Sequence, residues 1–244
     1  MTDAERQARI DLAACFRLVD LHGWDDGIAT HISMRLPGPE HHFLINPFGV
    51  LFGEITASKL VKIGIDGNKV EETPYEVNPA GFTIHSAIHM AREDAKCVMH
   101  LHTIDGMAVS AQACGLMPLT QTAMVVCSDM ATHEFEGPAN DLDERVRLQR
   151  DFGDKHNLLL WNHGTLTVGE TPAEAWFRMY SFERACSAQT RAMTAGRDGL
   201  HHPLPGIAEK TDEMVRRVLD KAANQLAWPA MLRRLDREAP DFRD

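Results

Sequence analysis

Cysteine is scarce in this sequence and forms no recognisable pairs. The five cysteines are odd in number and widely spaced, and no two of them form a CxxC pair: Cys15, Cys97, Cys114, Cys127 and Cys186. Such a set favours neither a disulfide framework nor a cysteine-based zinc site, and it suits a reducing compartment. The first ten residues are polar and charged, without the apolar segment of a signal peptide. We therefore expect a soluble, cytoplasmic protein.

Long hydrophobic runs and an excess of positive charge are also lacking. No uninterrupted apolar run approaches the ~20 residues that a membrane helix needs, so no membrane partner is expected. The formal charge of −10 argues against electrostatic binding of nucleic acid. The sequence contains no GxGxxG, GxxxxGK(S/T), GxSxG or HExxH motif, which removes the common signatures of dinucleotide, nucleotide, serine-hydrolase and metalloprotease sites.

The 244 residues include 44% apolar ones, enough to bury a substantial core. Apolar spacing predicts helices at 3–22, 82–92, 108–114, 141–152 with a cap at Asn140, 171–193 and 211–226. Short strands are predicted at 31–36, 42–45, 96–103, 157–161 and 166–169, with a hairpin joining 60–65 to 69–70. Because strands and helices interleave, we expect one α/β domain over 1–244, with a C-terminal helical arm from about 197.

Histidine, in contrast, is abundant, with thirteen in the chain. His100 and His102 lie two residues apart on a predicted strand, so their side chains project to the same face and can chelate one ion. His163 is the best candidate for a third ligand, because it ends an apolar strand and Gly164 can provide a sharp turn after it. Three neutral imidazoles with an open position are typical of a catalytic metal site. On spacing alone, the HxH pair could equally be the polar face of a strand.

His85 and His89 form a second pair, four residues apart on one face of the predicted helix 82–92. Such a pair can chelate a metal, carry protons near one, or simply be the polar flank of a helix. The loop pairs His41-His42 and His201-His202 are expected to be solvated.

Taken in order, several segments resemble the class II aldolase/adducin family, and its adducin-like branch most of all. The resemblance runs over roughly residues 8 to 195. It rests on Gly27–Ser33, Asn46-Pro47-Phe48-Gly49, Ile55–Val61, Phe82–His89, Val98–Thr103 and Asn162–Gly169. It implies a three-layer α/β/α sandwich around a largely antiparallel central sheet, and a homotetramer with sites near subunit interfaces.

The resemblance also implies a divalent metal, zinc above manganese or iron, bound by His100, His102 and His163. In the sugar-phosphate members of the family, which include the L-fuculose-phosphate and L-ribulose-phosphate enzymes, zinc stabilises the negative charge that develops during retro-aldol cleavage.

Three departures from the family pattern bear on the substrate. Pro79-Ala80-Gly81 stands where the family has Ser-Ser-Glu, so the acid/base glutamate and two phosphate-binding serines are missing. Thr30-His31-Ile32-Ser33 replaces the phosphate turn Gly-Asn-(Leu/Val)-Ser, and Phe48 takes a position that is usually small and polar. A site without those donors should bind phosphate poorly. We therefore expect a small non-phosphorylated carboxylate or aromatic substrate.

The expected function is that of a metal-dependent carbon–carbon lyase, either an aldolase or a decarboxylase. His85, one helical turn beyond Gly81, is the predicted acid/base or fourth ligand, and His31, Phe48 and Gly49 are predicted to contact the substrate. Two alternatives stay open: an Fe(II)-dependent oxygenase using the same histidines, and a non-catalytic adducin-like binding module. The adducin head shares these motifs, but the chain lacks adducin's long basic tail.

Overall fold

A computed structural model describes residues 1–137, 144–219 and 221–244 of the chain. In these ranges the α-helices are α1 (Asp3–Leu21), α2 (Pro79–Ala91), α3 (Ile104–Ser110), α4 (Gln121–Ser128), α5 (Glu144–Phe152), α6 (Pro172–Ala192), α7 (Ile207–Arg216) and α8 (Trp228–Glu238). The strands are β1 (His31–Arg35), β2 (Phe43–Ile45), β3 (Val61–Ile63), β4 (Cys97–Leu101), β5 (Met130–His133), β6 (Asn157–Leu160) and β7 (Gly164–Gly169).

The seven strands of the described residues form one sheet in the order β3-β2-β1-β4-β7-β6-β5. Every neighbouring pair is antiparallel except β5 and β6, which run parallel. Strand β4 lies in the middle, and all five of its residues are buried. Side chains of alternate residues on β4 therefore enter two different cores on opposite faces of the sheet.

Helices cover both faces. On one face, Met99 and Leu101 of β4 pack with apolar residues of α1, α6 and α8. On the other face, Val98 packs with residues of α2 and α5, including Ile88 and Phe152. The predicted α/β/α sandwich around a largely antiparallel sheet is therefore confirmed. His100, which alternates with Met99 and Leu101, points to the α2 side.

Local capping explains where several helices begin. The Thr171 side chain accepts a hydrogen bond from the Glu174 amide, and Pro172 occupies the first turn of α6 as predicted. Thr103 accepts likewise from the Gly106 amide, so α3 begins at Ile104. The predicted helix 108–114 is thus wrong in its bounds, because the Thr103 cap starts the helix four residues earlier.

Other boundaries also differ from the prediction. The helix α4 and the strand β5 are absent from the sequence-based assignment. The helix predicted at 211–226 is wrong in extent, because α7 ends at Arg216 and a π-helical segment, Lys221–Ala227, leads into α8. The start of the helix predicted at 141–152 and its cap at Asn140 lie outside the described residues. The predicted hairpin is confirmed by the bridge between Ile63 and Lys69.

The C-terminal helices pack onto the chain's own core. Trp228 and Leu235 of α8, and Phe242 after it, are buried in the same cluster as α1. Within the described residues, no helix is both long enough and apolar enough to cross a membrane.

Candidate metal centre

Three histidines converge at one end of the central strands. His100 lies near the end of β4, His102 directly after it, and His163 in the turn between β6 and β7. One ring nitrogen of each lies within 4.8 Å of the others, and the ring centroids are 4.7–4.8 Å apart. The antiparallel pairing of β4 with β7 produces this convergence, because it sets Leu101 opposite Thr165, beside the turn that carries His163.

The turn that presents His163 depends on two residues in different ways. Asn162 takes the left-handed conformation, with φ of 55°, and its amide donates to the Ser110 carbonyl. Gly164 follows this turn as the first residue of β7 and does not have a positive φ. Gly164 is required for space instead, since a Cβ there would lie 2.5 Å from the Leu101 carbonyl oxygen.

Hydrogen bonds to the outer nitrogens fix how two of the rings face the centre. His100 donates from Nδ1 to the Thr165 carbonyl at 3.0 Å, because a carbonyl oxygen can only accept. His102 Nδ1 lies 3.1 Å from the Asp26 carboxylate, which also accepts. In their neutral forms both rings therefore turn an unprotonated Nε2 inward, and these two atoms are 3.1 Å apart. Two lone pairs at this separation repel each other unless a cation lies between them.

Loss of contact with water favours the neutral form of two of these rings, those of His100 and His163. Desolvation, followed by the neighbouring His163, His31 and His102, holds the pKa of His100 well below its usual value. Desolvation, followed by His102, lowers the pKa of His163 to about 4. Neutral imidazole is the form that binds a metal.

This donor set fits a divalent ion. Two nitrogens of a tetrahedral zinc site, each about 2.0–2.1 Å from the ion, are about 3.3–3.4 Å apart, close to the 3.1 Å found between His100 and His102. Imidazole suits zinc, copper, iron and nickel more than magnesium or calcium. The Asp26 and Thr165 acceptors resemble the outer hydrogen-bond partners that orient metal-ligating histidines.

His31 lies beside the three histidines. It is paired with His100 across β1 and β4, and the two ring centroids are 5.1 Å apart. Its ring also covers Gly81, where an added Cβ would lie 2.7 Å from His31 Cδ2. A glutamate at 81 and the observed His31 ring cannot share this space, so the two departures from the family pattern are physically coupled.

His85 lies one layer further inside. Its Nε2 is 2.7 Å from His31 Nδ1, and its Nδ1 is 2.5 Å from Ser33 Oγ. The cavity beside it measures only about 10 Å³ and is lined by residues such as His89 and Phe82, which leaves room for no more than a water molecule. Neither nitrogen of His85 is free in this arrangement, so the geometry does not support direct contact between His85 and a substrate.

Phe48 and Gly49 occupy a loop after β2. Phe48 is 42% exposed and pairs with Glu76 through its backbone, and Gly49 has a φ of 89°. The ring contact with the cluster comes instead from Phe135, whose centroid is 5.4 Å from that of His163. The roles predicted for Phe48 and Gly49 stay predictions.

Sequence reasoning missed Asp26, Thr165 and Phe135. Asp26 had a usable signal, because it lies in the acidic turn Trp24-Asp25-Asp26-Gly27 just before β1. Thr165 acts through its backbone carbonyl, and no side-chain pattern reports on that.

A separate cavity of about 380 Å³ lies between α4, α6 and α7, with Val125, Phe177 and Arg178 in its wall. None of the predicted site residues lines this cavity.

Comparison with known proteins shows the family to which the chain belongs. Residues 10–190 match the family described as Class II Aldolase and Adducin N-terminal domain. The chain belongs to this family. A class 2 aldolase-like protein of Caulobacter vibrioides is 55% identical over all of this chain and 95% of its own.

Other relatives include an adducin and two proteins of known structure. Mouse alpha-adducin is 43% identical over 78% of this chain, a match that covers 26% of the adducin. Among solved structures, an aldolase II superfamily protein from Pseudomonas syringae superposes with a TM-score of 0.97 at 44% identity, covering 100% of this chain and 98% of its own. L-fuculose 1-phosphate aldolase from Glaciozyma antarctica gives 0.86 at 28% identity, covering 98% and 93%.

Proposed function

We propose that this protein is a metal-dependent carbon–carbon lyase, an aldolase or a decarboxylase, in which His100, His102 and His163 hold one divalent ion, preferably zinc. The observation that carries the proposal is the pair of inward-facing Nε2 atoms of His100 and His102, 3.1 Å apart. The half-buried, neutral His163 completes a set of three nitrogens. Membership of the class II aldolase family supports lyase chemistry.

When bound, the ion supplies Lewis-acid stabilisation of the negative charge that a substrate oxygen acquires as the carbon–carbon bond breaks. The protein's own residues position the donors. Asp26 and the Thr165 carbonyl hold the rings of His102 and His100 in one orientation. Contact with the substrate is assigned to His31, which His85 supports from behind.

The substrate is proposed to be a small non-phosphorylated carboxylate or aromatic compound. Ser33 is the retained hydroxyl of the family's phosphate turn, but it is buried and hydrogen-bonded to His85 and His89. It is therefore not available to a phosphate. The Gly81 position supports the same inference, since no side chain there can contact a ligand.

Metal content tests the site directly. Purified wild-type protein is expected to contain about one equivalent of zinc, manganese or iron per chain, and His100→Ala/His102→Ala is expected to contain none. The matched control is His201→Gln/His202→Gln, an exposed pair distant in sequence from the site. Elemental analysis after reconstitution with each metal makes the measurement. A wild-type protein that binds no metal would remove the lyase proposal.

Activity should follow the metal. In the metal-loaded protein, His163→Ala is expected to lower kcat/KM for carbon–carbon cleavage by about 10²–10³ or more, since the charge stabilisation at one electrophilic group is worth about 3–4 kcal/mol. Hydroxylated aromatic carboxylates and sugar phosphates are compared as substrates, and cleavage of the former is expected. A preference for the phosphates would contradict the proposed substrate class.

Two alternatives use the same fold. The 43% identity to alpha-adducin favours a non-catalytic binding module as the second candidate, and absence of metal in the wild type would favour it. An Fe(II)-dependent oxygenase is the third candidate, and it is distinguished by iron content together with oxygen uptake.

A homotetramer is part of the proposal and is checked by light scattering. The cytoplasmic location and the single domain over 1–244 stay predictions.

A further inference from the structure

A continuous row of hydrogen bonds runs from the candidate metal centre into the interior, between β1 and α2. His31 Nδ1 lies 2.7 Å from His85 Nε2, and His85 Nδ1 lies 2.5 Å from Ser33 Oγ. Ser33 Oγ is 2.7 Å from His89 Nε2, and His89 Nδ1 is 2.7 Å from the Ala95 carbonyl oxygen. All four side chains are 3% exposed or less, so water does not compete for these bonds.

The Ala95 carbonyl gives this row a single direction. A carbonyl oxygen only accepts, so His89 carries its proton on Nδ1 and accepts at Nε2 from the Ser33 hydroxyl. Ser33 has one proton to donate, so its oxygen accepts from His85 Nδ1. His85 Nε2 is then the acceptor for the Nδ1 proton of His31.

The assignment requires three neutral rings, and their surroundings provide this. All three rings are 3% exposed or less, and burial disfavours a second proton, and hence a charge, on each of them. Desolvation also lowers the pKa of His89 to about 3 and holds that of His85 well below its usual value. Arg35 also disfavours a charge on His89. Each ring then has one proton, and the row places all three on Nδ1.

The row therefore ends on an unprotonated nitrogen, Nε2 of His31. This atom forms no hydrogen bond with any described residue, and it is not among the fully buried atoms that lack a partner. The ring lies next to His100, with centroids 5.1 Å apart. Part of the small exposed surface of His31 therefore belongs to Nε2, on a ring that lies beside the three-histidine cluster.

We propose that the hydrogen-bonded row from Ala95 to His31 fixes Nε2 of His31 as an acceptor, which selects substrates that present a hydroxyl group to it. An acceptor repels the oxygens of a phosphate or carboxylate and has no proton to offer them, whereas a hydroxyl can donate to it. Ser33 and His89 are positioning residues. This inference rests on the proposed function and narrows its substrate class: the carboxylate or aromatic compound has a hydroxyl near the group that undergoes cleavage.

Nuclear magnetic resonance of ¹⁵N-histidine-labelled, metal-free protein tests the row without any activity. Long-range ¹H–¹⁵N correlation shows which ring nitrogen is protonated, and His31, His85 and His89 are all expected to be protonated on Nδ1. In Ser33→Ala, His89 is expected to remain protonated on Nδ1, because the Ala95 carbonyl still accepts that proton. His85 and His31 are expected to become mixtures of tautomers. Ser33→Thr restores the hydroxyl and should restore the wild-type pattern.

A wild-type His31 protonated on Nε2 would overturn the inference, as would an unchanged pattern in Ser33→Ala. If Ser33→Ala does not fold, the wild-type spectrum alone still decides the tautomer of His31. The protein in this experiment is metal-free, so the tautomer prediction can fail while the metal analysis succeeds. Equally, the metal analysis can fail while the tautomer prediction succeeds. The two proposals are therefore distinguishable.

Binding of simple probes to the zinc-loaded protein tests the selectivity. Hydroxyacetone is expected to bind more tightly than inorganic phosphate in calorimetric titration. His31→Phe should weaken hydroxyacetone binding by about tenfold, which corresponds to the loss of one hydrogen bond, with zinc content unchanged. Phosphate binding more tightly than hydroxyacetone, or equal affinity in His31→Phe, would contradict the proposed selection.

Discussion

The metal-free protein is expected to lose at least about 6 kcal/mol of unfolding free energy between pH 7.5 and pH 5, because three of its buried neutral histidines contribute that much as each takes up a proton on unfolding. The rings are His31, His85 and His89, whose pKa values are lowered in the fold, for His31 and His89 to about 3. In the unfolded chain these rings titrate near 6.5. The unfolded state therefore binds more protons below pH 6.5, and stability falls as the pH drops.

The size of this effect follows from proton counting. One proton bound only by the unfolded state changes the free energy of unfolding by about 1.4 kcal/mol per pH unit, so three give about 4. A loss of about 6 kcal/mol at pH 5 is comparable with the 5–15 kcal/mol that stabilises a typical domain. Urea unfolding of metal-free protein at several pH values makes the measurement.

A variant at one of the rings supplies the control. His89→Gln is expected to reduce the slope near pH 5 by about 1.4 kcal/mol per pH unit, since it removes one proton that only the unfolded state binds. His201→Gln/His202→Gln should leave the slope unchanged, because both side chains are exposed in the fold. A constant free energy of unfolding from pH 7.5 to 5 would show that these rings are not buried as neutral groups.

The second large effect is expected from Gly164→Ala. The new Cβ would lie 2.5 Å from the Leu101 carbonyl oxygen and 3.2 Å from His102 Cδ2. Strands β4 and β7 must move apart to accept it, at a cost of about 1–3 kcal/mol. His102 and His163 are the residues next to Leu101 and Gly164, so moving the strands apart also moves these two ligands. Metal affinity should therefore fall by about 10- to 100-fold, as it does when outer residues that orient metal ligands are changed. Thermal unfolding and competitive zinc titration measure the two effects.

Gly153→Ala separates the loss of stability from the loss of the site. Gly153 has a φ of 55°, and nothing lies within 4 Å of an added Cβ. The substitution should cost about 1 kcal/mol through its left-handed backbone and leave zinc affinity unchanged. Wild-type zinc affinity in Gly164→Ala would show that the contact with Leu101 does not set the site.

The sequence predicts best those features that depend on a single strand or a single helix. The spacing of His100 and His102 on a strand predicts a shared face, and the structure brings both rings together with His163. The Thr171 cap and Pro172 correctly predict the start of α6. These features depend on the period of a strand or on one turn of a helix, which neighbouring residues alone determine.

Prediction was weakest where a residue's role depends on distant chain segments. The sequence predicts that Gly164 allows the turn before β7, but it does not reveal that Asn162 is the left-handed residue of that turn. Nor does it reveal that a side chain at 164 would meet the Leu101 carbonyl of β4. The sequence predicts that His85 serves as the acid/base or as a fourth metal ligand. Its position behind His31 results from the packing of α2 on β1, which no local pattern reveals.

By itself, the sequence determined the α/β class, the family and the identity of the three converging histidines. Each of these follows from composition, from periodicity or from motifs in a fixed order. Only the tertiary structure decided which ring nitrogens face the centre, that Asp26 and Thr165 orient the rings, and that the ring of His31 fills the space beside Gly81. The reason is physical: hydrogen-bond direction and excluded volume are properties of atoms that approach across strands, and residues far apart in the chain supply them.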